Sequence, residues 1–149
     1  MDLRTFLSVL LLYRHNFQVL HWMADGESFL TIHAQAEKYY KLLSDDIDKV
    51  AEMILRDYNE IISYKDVLDI TEESDHDFLL MTGKELCDMV SFAKYSEQMF
   101  NDLKKCIELL FEKNKKSDDI GIVSELENIY NEYDLQVRYI IKRLSPNKK

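Results

Sequence analysis

Four residues between positions 21 and 52 have the types and spacing of a metal site. His21 and His33 are separated by twelve positions. Asp48 and Glu52 follow, separated by four. Imidazole nitrogens and carboxylate oxygens together are suitable ligands for divalent iron. Residues i and i+4 of a helix lie on one face, so the two carboxylates can act together. These four side chains are the candidate catalytic and metal-binding residues.

The segment between the two histidines predicts a helical hairpin. Gly26 tolerates the left-handed conformation that ends a helix, and Ser28 is a favourable residue to start the next one. His21 precedes the centre of this turn, at Glu27, by six residues, and His33 follows it by six. In an antiparallel hairpin the two imidazoles therefore lie at about the same height, where they could share one ion.

The carboxylates are too far along the second helix to join the histidines of their own chain. Fifteen residues separate His33 from Asp48, which is about 22 Å at a rise of ~1.5 Å per residue. Metal–ligand bonds are only about 2.0–2.2 Å long. An antiparallel copy of the helix, related by a two-fold axis, would set the acids of one chain against the histidines of the other. The spacing therefore predicts two equivalent sites between two subunits.

Apolar residues recur at spacings of three and four and predict the helices that must position these side chains. We expect a first helix over residues 2–24, a second over 28–58, a third over 84–115, and a fourth from a cap at 117–119 to residue 144, before Pro146. The expected core positions are Leu3, Phe6, Leu10, Tyr13, Phe17 and Leu20, then Ala36, Tyr40, Leu43, Ile47, Val50 and Ile54, then Leu86, Met89, Ala93, Phe100, Leu103, Ile107 and Leu110, and finally Val123, Leu126, Tyr130, Tyr133, Val137, Ile140 and Leu144.

The first helix carries more apolar residues than one core face needs. The additional positions are Leu7, Val9, Leu11, Leu12 and Val19. This excess predicts a second buried face, at a contact between subunits.

The composition favours one all-α domain over residues 1–149. Of the 149 residues, 46% are hydrophobic and 11% are aromatic, which is enough for a substantial core. Three glycines and one proline are too few for a loop-rich β-fold. Cys87 and Cys106 have no Cys-x-x-Cys spacing, so we expect both to be reduced and to lie in helices.

Charge and hydropathy limit the partners. The net charge of −9 disfavours DNA binding, because a duplex needs Lys and Arg to neutralise its phosphates. The only basic extension is Lys142-Arg143 and the segment 144–149. The apolar run at residues 6–13 has eight residues, far fewer than the ~20 that span a bilayer, and no signal-peptide cleavage site follows it. We expect a cytoplasmic protein without membrane association.

The His-Trp pair at positions 21 and 22, the histidine twelve residues later and the Asp-x-x-x-Glu motif at 48–52 resemble the ferroxidase signature of the Dps family, miniferritins first named as DNA-binding proteins from starved cells. Gly26 and Phe29 fit the family's short turn between its first two helices. Residues 63–71 resemble its short crossover helix, although the family's usual glycine and proline after the second helix are missing.

This resemblance implies a ferritin-like four-helix bundle, with one long crossover carrying a short helix near residues 63–70. It also implies a dodecamer with sites between two-fold-related subunits. Such a protein oxidises Fe(II), preferably with hydrogen peroxide, stores ferric mineral and protects against oxidative damage. A ligand set with open positions suits iron better than structural zinc, although zinc or another divalent metal could occupy it.

The resemblance also assigns individual roles. His33 and Glu52 would hold the tighter ion, with Asp48 bridging or assisting. His21 would complete a weaker second position. Glu37, one turn after His33, would be an outer or weak ligand, and Trp22 a redox-active aromatic near the metal.

Three other readings compete with this one. The histidines could be packing residues of a non-catalytic helical-bundle assembly, or the protein could be a DNA-associated structural protein. Ferritins that build a di-iron site inside one subunit use Glu-x-x-His motifs, but here Gln18 and Leu30 stand where that glutamate would be. His15 and His76 match no ligand spacing, and we read them as structural or exposed.

Overall fold

The computed structural model describes residues 1–60, 63–73, 77–113 and 120–144, and within these ranges it contains helices and loops but no strand. The elements in chain order are α1 (Leu3–Met23), α2 (Phe29–Tyr58), α3 (Tyr64–Glu73), α4 (Met89–Lys113), α5 (Ile120–Leu135), a π-helical turn (Gln136–Ile140) and α6 (Ile141–Leu144). The predicted all-α class is confirmed. No described helix has the combined length and apolar character needed to cross a bilayer.

Helices α1 and α2 form the predicted hairpin, and the most extensive helix–helix contact in the described structure joins them. Asp2 caps α1, because its carboxylate accepts a hydrogen bond from the backbone N–H of Thr5 at 2.8 Å. Gly26 has φ = 88°, the left-handed conformation that its position predicted. Ser28 lies at the N-cap of α2 but makes no side-chain cap bond. The six predicted core residues of α1 are all buried.

The core stripe of α2 differs from the prediction at one aromatic position. Tyr39 is buried, whereas Tyr40 is half-buried at the edge of the stripe. Ala36, Tyr39 and Leu43 are separated by three and then four residues, which keeps them on one face of the helix. The expected order of four and then three residues, through Tyr40, would also do so. The Tyr39 hydroxyl also donates a 2.8 Å hydrogen bond to Oε1 of Gln136, which satisfies both polar groups inside the bundle.

Helix α4 begins five residues later than predicted, so the expected core position Leu86 is wrong. Leu86 lies in the preceding loop and is 65% exposed. The Glu85 carboxylate accepts hydrogen bonds from the backbone N–H groups of Thr82, Gly83 and Lys84, which holds a turn there. These bonds lower the pKa of Glu85 to about 2. Asp88 then caps α4 by accepting from the N–H of Ser91.

The cysteines also refine the predictions. Both Cys87 and Cys106 are free and buried, as expected. Cys106 lies in α4, but Cys87 lies in the loop before it, so the helical assignment of Cys87 is wrong. The predicted cap at 117–119, His76 and Pro146 lie outside the described residues.

The final helix contains a wide turn that the sequence pattern did not predict. Residues Gln136–Ile140 form a π-helix between α5 and α6. The residues buried in α5 and α6 are Ile122, Leu126, Ile129, Tyr133 and Ile141. The predicted Val123, Tyr130, Ile140 and Leu144 are only half-buried. A π turn holds one residue more than an α turn, which accounts for the shift from Ile140 to Ile141. The shifts from Val123 to Ile122 and from Tyr130 to Ile129 precede this turn, and the structure gives no separate reason for them.

The crossover helix α3 accounts for much of the apolar excess of α1. It begins with a reciprocal cap, in which Ser63 and Asp66 each accept the other's backbone N–H at 3.2 Å. It packs against α1 and borders a groove of about 330 Å³ together with Leu11 and Leu12, which are half-buried. Leu7, Val9 and Val19 are buried within the chain itself. These three residues therefore need no second subunit to cover them.

Candidate metal site

The hairpin brings the imidazoles of His21 and His33 into direct contact. Their ring centroids are 3.6 Å apart, and the rings are nearly parallel, with an interplanar angle of 23°. Nδ1 of His21 lies 2.7 Å from the carbonyl oxygen of His33. Reciprocally, Nδ1 of His33 lies 2.9 Å from the carbonyl oxygen of His21. Each histidine therefore fixes the other through the backbone of the neighbouring helix.

These contacts determine which ring nitrogens are available. A carbonyl oxygen can only accept a hydrogen bond, so the hydrogen must be on Nδ1 of both rings. In neutral imidazole the proton on Nδ1 leaves a lone pair on Nε2. Metal-binding histidines in proteins are commonly held in this way, with the second nitrogen donating to a carbonyl or carboxylate. Each ring thus offers an Nε2 lone pair, which is the electronic form that a metal requires.

Aromatic side chains surround the histidine pair in an arrangement that differs from the expected one. The Tyr40 ring meets the His21 ring edge-on, with centroids 5.5 Å apart, and Phe29 lies 5.3 Å from His33. Trp22 is 61% exposed and its ring lies 6.4 Å from that of exposed His15. Tyr40 was missed as a site residue, although its position seven residues after His33 places it on nearly the same side of α2.

Glu37 lies one turn beyond His33, and its carboxylate pairs with Lys41 at 3.1 Å. The hydrogen bond and the charge of Lys41 lower the pKa of Glu37, and the two histidines contribute a smaller lowering. An ionised carboxylate is thus held near the imidazoles.

The two acids of the motif lie at the other end of α2. Asp48 and Glu52 are exposed, and they line a groove of about 280 Å³ between α1 and α2. Leu7 and Leu55 form its apolar sides, and Glu60 adds a third carboxylate. Anionic oxygens around an open groove favour a cation as its occupant.

The four candidate residues therefore occupy two separate places on one chain. The histidines lie together at the hairpin end of α2, and the acids lie together toward its C-terminal end. Within the described ranges of this single chain, no three His, Cys, Asp or Glu residues are grouped closely enough to hold a metal ion. Of these four residues, the two histidines and the two acids therefore form separate groups.

A buried carboxylate close to the motif was not predicted. Asp46 is 2% exposed, and it accepts a 2.6 Å hydrogen bond from the hydroxyl of buried Tyr133. Burial raises the pKa of Asp46 to about 6, against the opposing effects of Tyr133 and Lys49. Its position three residues after Leu43 and four before Val50 places it on the core stripe. That periodicity was the only signal that could distinguish Asp46 from its acidic neighbours.

A curated relative shares part of the sequence. The DNA protection during starvation protein of Porphyromonas gingivalis is 31% identical over 96 residues, which cover 62% of this chain. The match spans 60% of the length of that relative. No family model matches the sequence.

Solved structures share the fold across nearly the whole chain. Antigen TpF1 from Treponema pallidum has a TM-score of 0.82 and 17% identity, covering 95% of this chain and 86% of its own. A Dps protein from Vibrio cholerae O1, described as a member of a broad superfamily of ferritin-like diiron-carboxylate proteins, has a TM-score of 0.81 and 20% identity, covering 95% and 84%. A Dps protein from Bacillus brevis has a TM-score of 0.82 and 20% identity, covering 95% and 90%.

These likenesses confirm the ferritin-like architecture that the sequence predicted. At sequence identities of 17–20%, the structural likeness shows the fold alone. The P. gingivalis protein adds a likeness in sequence. The chain thus resembles Dps proteins in sequence over 96 residues and in fold over nearly its whole length.

Proposed function

We propose that this protein is an iron-storage miniferritin that oxidises Fe(II) at two equivalent sites shared between two copies of the chain. The observation that carries the proposal is the pair of stacked imidazoles with both Nδ1 atoms held by backbone carbonyls. These carbonyl contacts use Nδ1 of each ring and leave each Nε2 lone pair available to a metal. The resemblance to the Dps family supports the same reading.

The acids lie on the side of α2 that a partner subunit could reach. At about 100° per residue, Asp48 lies roughly 60° around the helix from His33, and Glu52 lies roughly 100° around. Both acids are exposed, and α2 runs unbroken from Phe29 to Tyr58. An antiparallel partner would therefore bring its own acids to the histidine pair and receive histidines at its groove.

The substrate of this site is Fe(II). His21 and His33 would bind through Nε2, Glu52 and Asp48 of the partner subunit would supply oxygen ligands, and the remaining positions stay open for an oxidant. Two Fe(II) ions give two electrons to hydrogen peroxide, which takes up two protons and leaves as two water molecules. No hydroxyl radical forms in this balance. We assign His33 and Glu52 to the tighter ion, Asp48 to a bridging or assisting role and His21 to the second position.

Two further residues have supporting roles in the proposal. Glu37, held ionised by Lys41, would act as an outer or weak ligand. Trp22 would act as a redox-active aromatic, one residue after His21. No observation supports zinc at this site, so the proposal is restricted to iron.

The wider function follows from the same family likeness. We propose one ferritin-like domain over residues 1–149, a cytoplasmic dodecamer whose cavity stores the ferric product, and protection of the cell from iron and peroxide together. The net charge of −9 would concentrate cations near such a shell. Light scattering tests the assembly, since a mass near twelve chains supports storage, and a monomer would leave no place for a shared site.

The activity itself is tested by anaerobic Fe(II) titration followed by addition of peroxide. We expect the wild type to show a rise in near-ultraviolet ferric absorbance that is lost in a His33→Ala, Glu52→Ala double variant. The matched control is His15→Ala with Glu97→Ala, which removes one exposed histidine and one exposed glutamate elsewhere. An unchanged rise in the first variant, or no uptake by the wild type, would favour the non-catalytic helical bundle.

A further inference from the structure

Several charged residues of α2 are paired within the chain. Lys41 binds Glu37 at 3.1 Å, and Lys49 lies 3.8 Å from Asp46. The third lysine of this helix, Lys38, is exposed and has no ion-pair partner among the described residues.

Three acids of α2 are also in no ion pair with a described residue: Asp45, Asp48 and Glu52. Asp45 is exposed and forms no ion pair with any described residue. It is distinct from Asp48 and Glu52, to which the proposed function already gives ligand roles. Lys38 and Asp45 are seven residues apart, which is close to two helical turns, so they project from nearly the same side of α2. Around the helix, Glu52 lies roughly 20–40° from this pair, Asp48 roughly 60–80° and His33 roughly 120–140°.

We propose that Lys38 of each chain forms an ion pair with Asp45 of a second copy of this chain, across the two-fold axis. This inference rests on the proposed function, because the shared metal site sets the register. In two antiparallel helices, the numbers of two facing residues always have the same sum. When His33 of one copy faces the midpoint between Asp48 and Glu52 of the other, this sum is about 83. Lys38 and Asp45 satisfy this condition, and the symmetry creates the pair twice.

The location of the pair makes the inference insensitive to the angle between the helices. In this register the two-fold axis passes α2 between Lys41 and Leu42. Lys38 and Asp45 each lie about 3.5 residues, or roughly 5 Å, from that point. Helices that cross at an angle remain close at this distance from the axis, whereas positions nearer the helix ends diverge. The two unpartnered charges of opposite sign thus lie close to the two-fold axis along the length of α2, on the flank next to Glu52.

Charge reversal tests the pairing directly. Lys38→Glu places Glu against the partner's Asp45, and Asp45→Lys places Lys against the partner's Lys38. Each variant alone should therefore dissociate at least about tenfold more readily than the wild type at low ionic strength, with a smaller effect at high salt. A mixed pair of the two variants has opposite charges at both contacts and should be restored.

The two variants are co-expressed, one with a C-terminal mass tag, and the purified assembly is analysed by native mass spectrometry. We expect about nine in ten pairs to contain one chain of each kind, as a roughly tenfold preference gives. In a shell of several pairs, each shell should hold nearly equal numbers of both chains. The matched control reverses Lys94 and Glu97, which are exposed on α4, and should give random mixing.

Random mixing of the Lys38→Glu and Asp45→Lys chains, with half of the pairs mixed, would overturn this register. If those assemblies still oxidised iron and lost that activity in the His33→Ala, Glu52→Ala variant, the proposed function would stand and only the ion pair would fail. A wild-type protein that stayed monomeric at all concentrations would overturn both.

Discussion

The two ends of α2 hold the two halves of the candidate site in different states of order. At the N-terminal end, His21 and His33 stack on each other and are each held by a backbone carbonyl. At the C-terminal end, Asp48 and Glu52 line an open groove and are exposed. The candidate nitrogen ligands are fixed by one chain alone, whereas the candidate oxygen ligands are exposed at the surface of the groove.

The chain therefore orients its histidines by itself, whereas it leaves its acids exposed. Because the imidazoles are already fixed, a metal that binds them would cost less side-chain entropy than one that must first order its ligands. Asp48 and Glu52 are exposed in the single chain, so the chain avoids the cost of burying unpaired charge. A subunit can thus fold stably before its site is complete.

The largest expected effect comes from separating the two halves onto different chains. His33→Ala and Glu52→Ala should each lower the ferroxidase rate at least tenfold, because loss of a ligand should cost no less than loss of an outer-shell partner. When the two variants are co-expressed, each mixed pair has one site with both changes and one intact site. Random pairing should therefore restore about one quarter of the wild-type sites, measured as peroxide-dependent ferric absorbance.

The control for this experiment is a single chain carrying both substitutions, mixed with itself, which should recover nothing. A mixture of the single variants that also recovered nothing, despite forming mixed pairs by mass, would mean that each site is built within one subunit.

A second experiment compares the buried acid of α2 with an exposed one. Burial raises the pKa of Asp46 to about 6 from 3.8, so the folded state binds this proton more tightly than the unfolded state. The resulting stabilisation is complete below about pH 4 and is lost as the pH rises through 6. Asp46→Asn should remove this dependence, on the order of 3 kcal/mol between pH 4 and pH 7 relative to wild type, in urea denaturation at fixed protein concentration.

Asp48→Asn is the matched variant, because it removes the same group from the exposed side of the same helix. It should leave the Asp46-dependent difference in place. Equal pH profiles for wild type and Asp46→Asn would contradict the assignment of this slope to the buried carboxyl.

The smallest expected effect concerns the structural contribution of each end. His21→Ala removes one hydrogen bond to the His33 carbonyl and the ring stack, which should lower the free energy of unfolding by roughly 1–3 kcal/mol. Asp48→Ala should change it by less than about 0.5 kcal/mol, as is usual for exposed sites. Thermal unfolding of both variants without iron measures the difference. Equal destabilisation would show that the two ends are similarly ordered.

Much of the fold was predictable because the long helices carry strong periodic signals. The bounds of α1 and α2 agree with the prediction within one residue. The start of α4 was not predictable from hydrophobic spacing, since Leu86 fits the helical pattern but Glu85 uses its carboxylate to hold a turn. The π turn at Gln136–Ile140 was also missed, because hydrophobic spacing carries no signal for one widened turn. Its first residue, Gln136, accepts a buried hydrogen bond from distant Tyr39.

For the site, the spacing predicted that the histidines would lie at one height and the acids elsewhere, and the structure has them there. Their service as metal ligands remains a prediction. Spacing could not predict the carbonyl contacts of each Nδ1, because these depend on the separation and rotation of two packed helices. It also pointed to Trp22 as the neighbouring aromatic, whereas Tyr40 contacts His21.

The reciprocal histidine–carbonyl contacts have a thermodynamic consequence. A cation on either Nε2 withdraws electron density from its ring and makes the Nδ1–H a better donor to the opposite helix. Occupancy of the ring nitrogens and closure of the hairpin would then reinforce each other, by the same factor in both directions. Cation binding and hairpin stability would then be thermodynamically coupled.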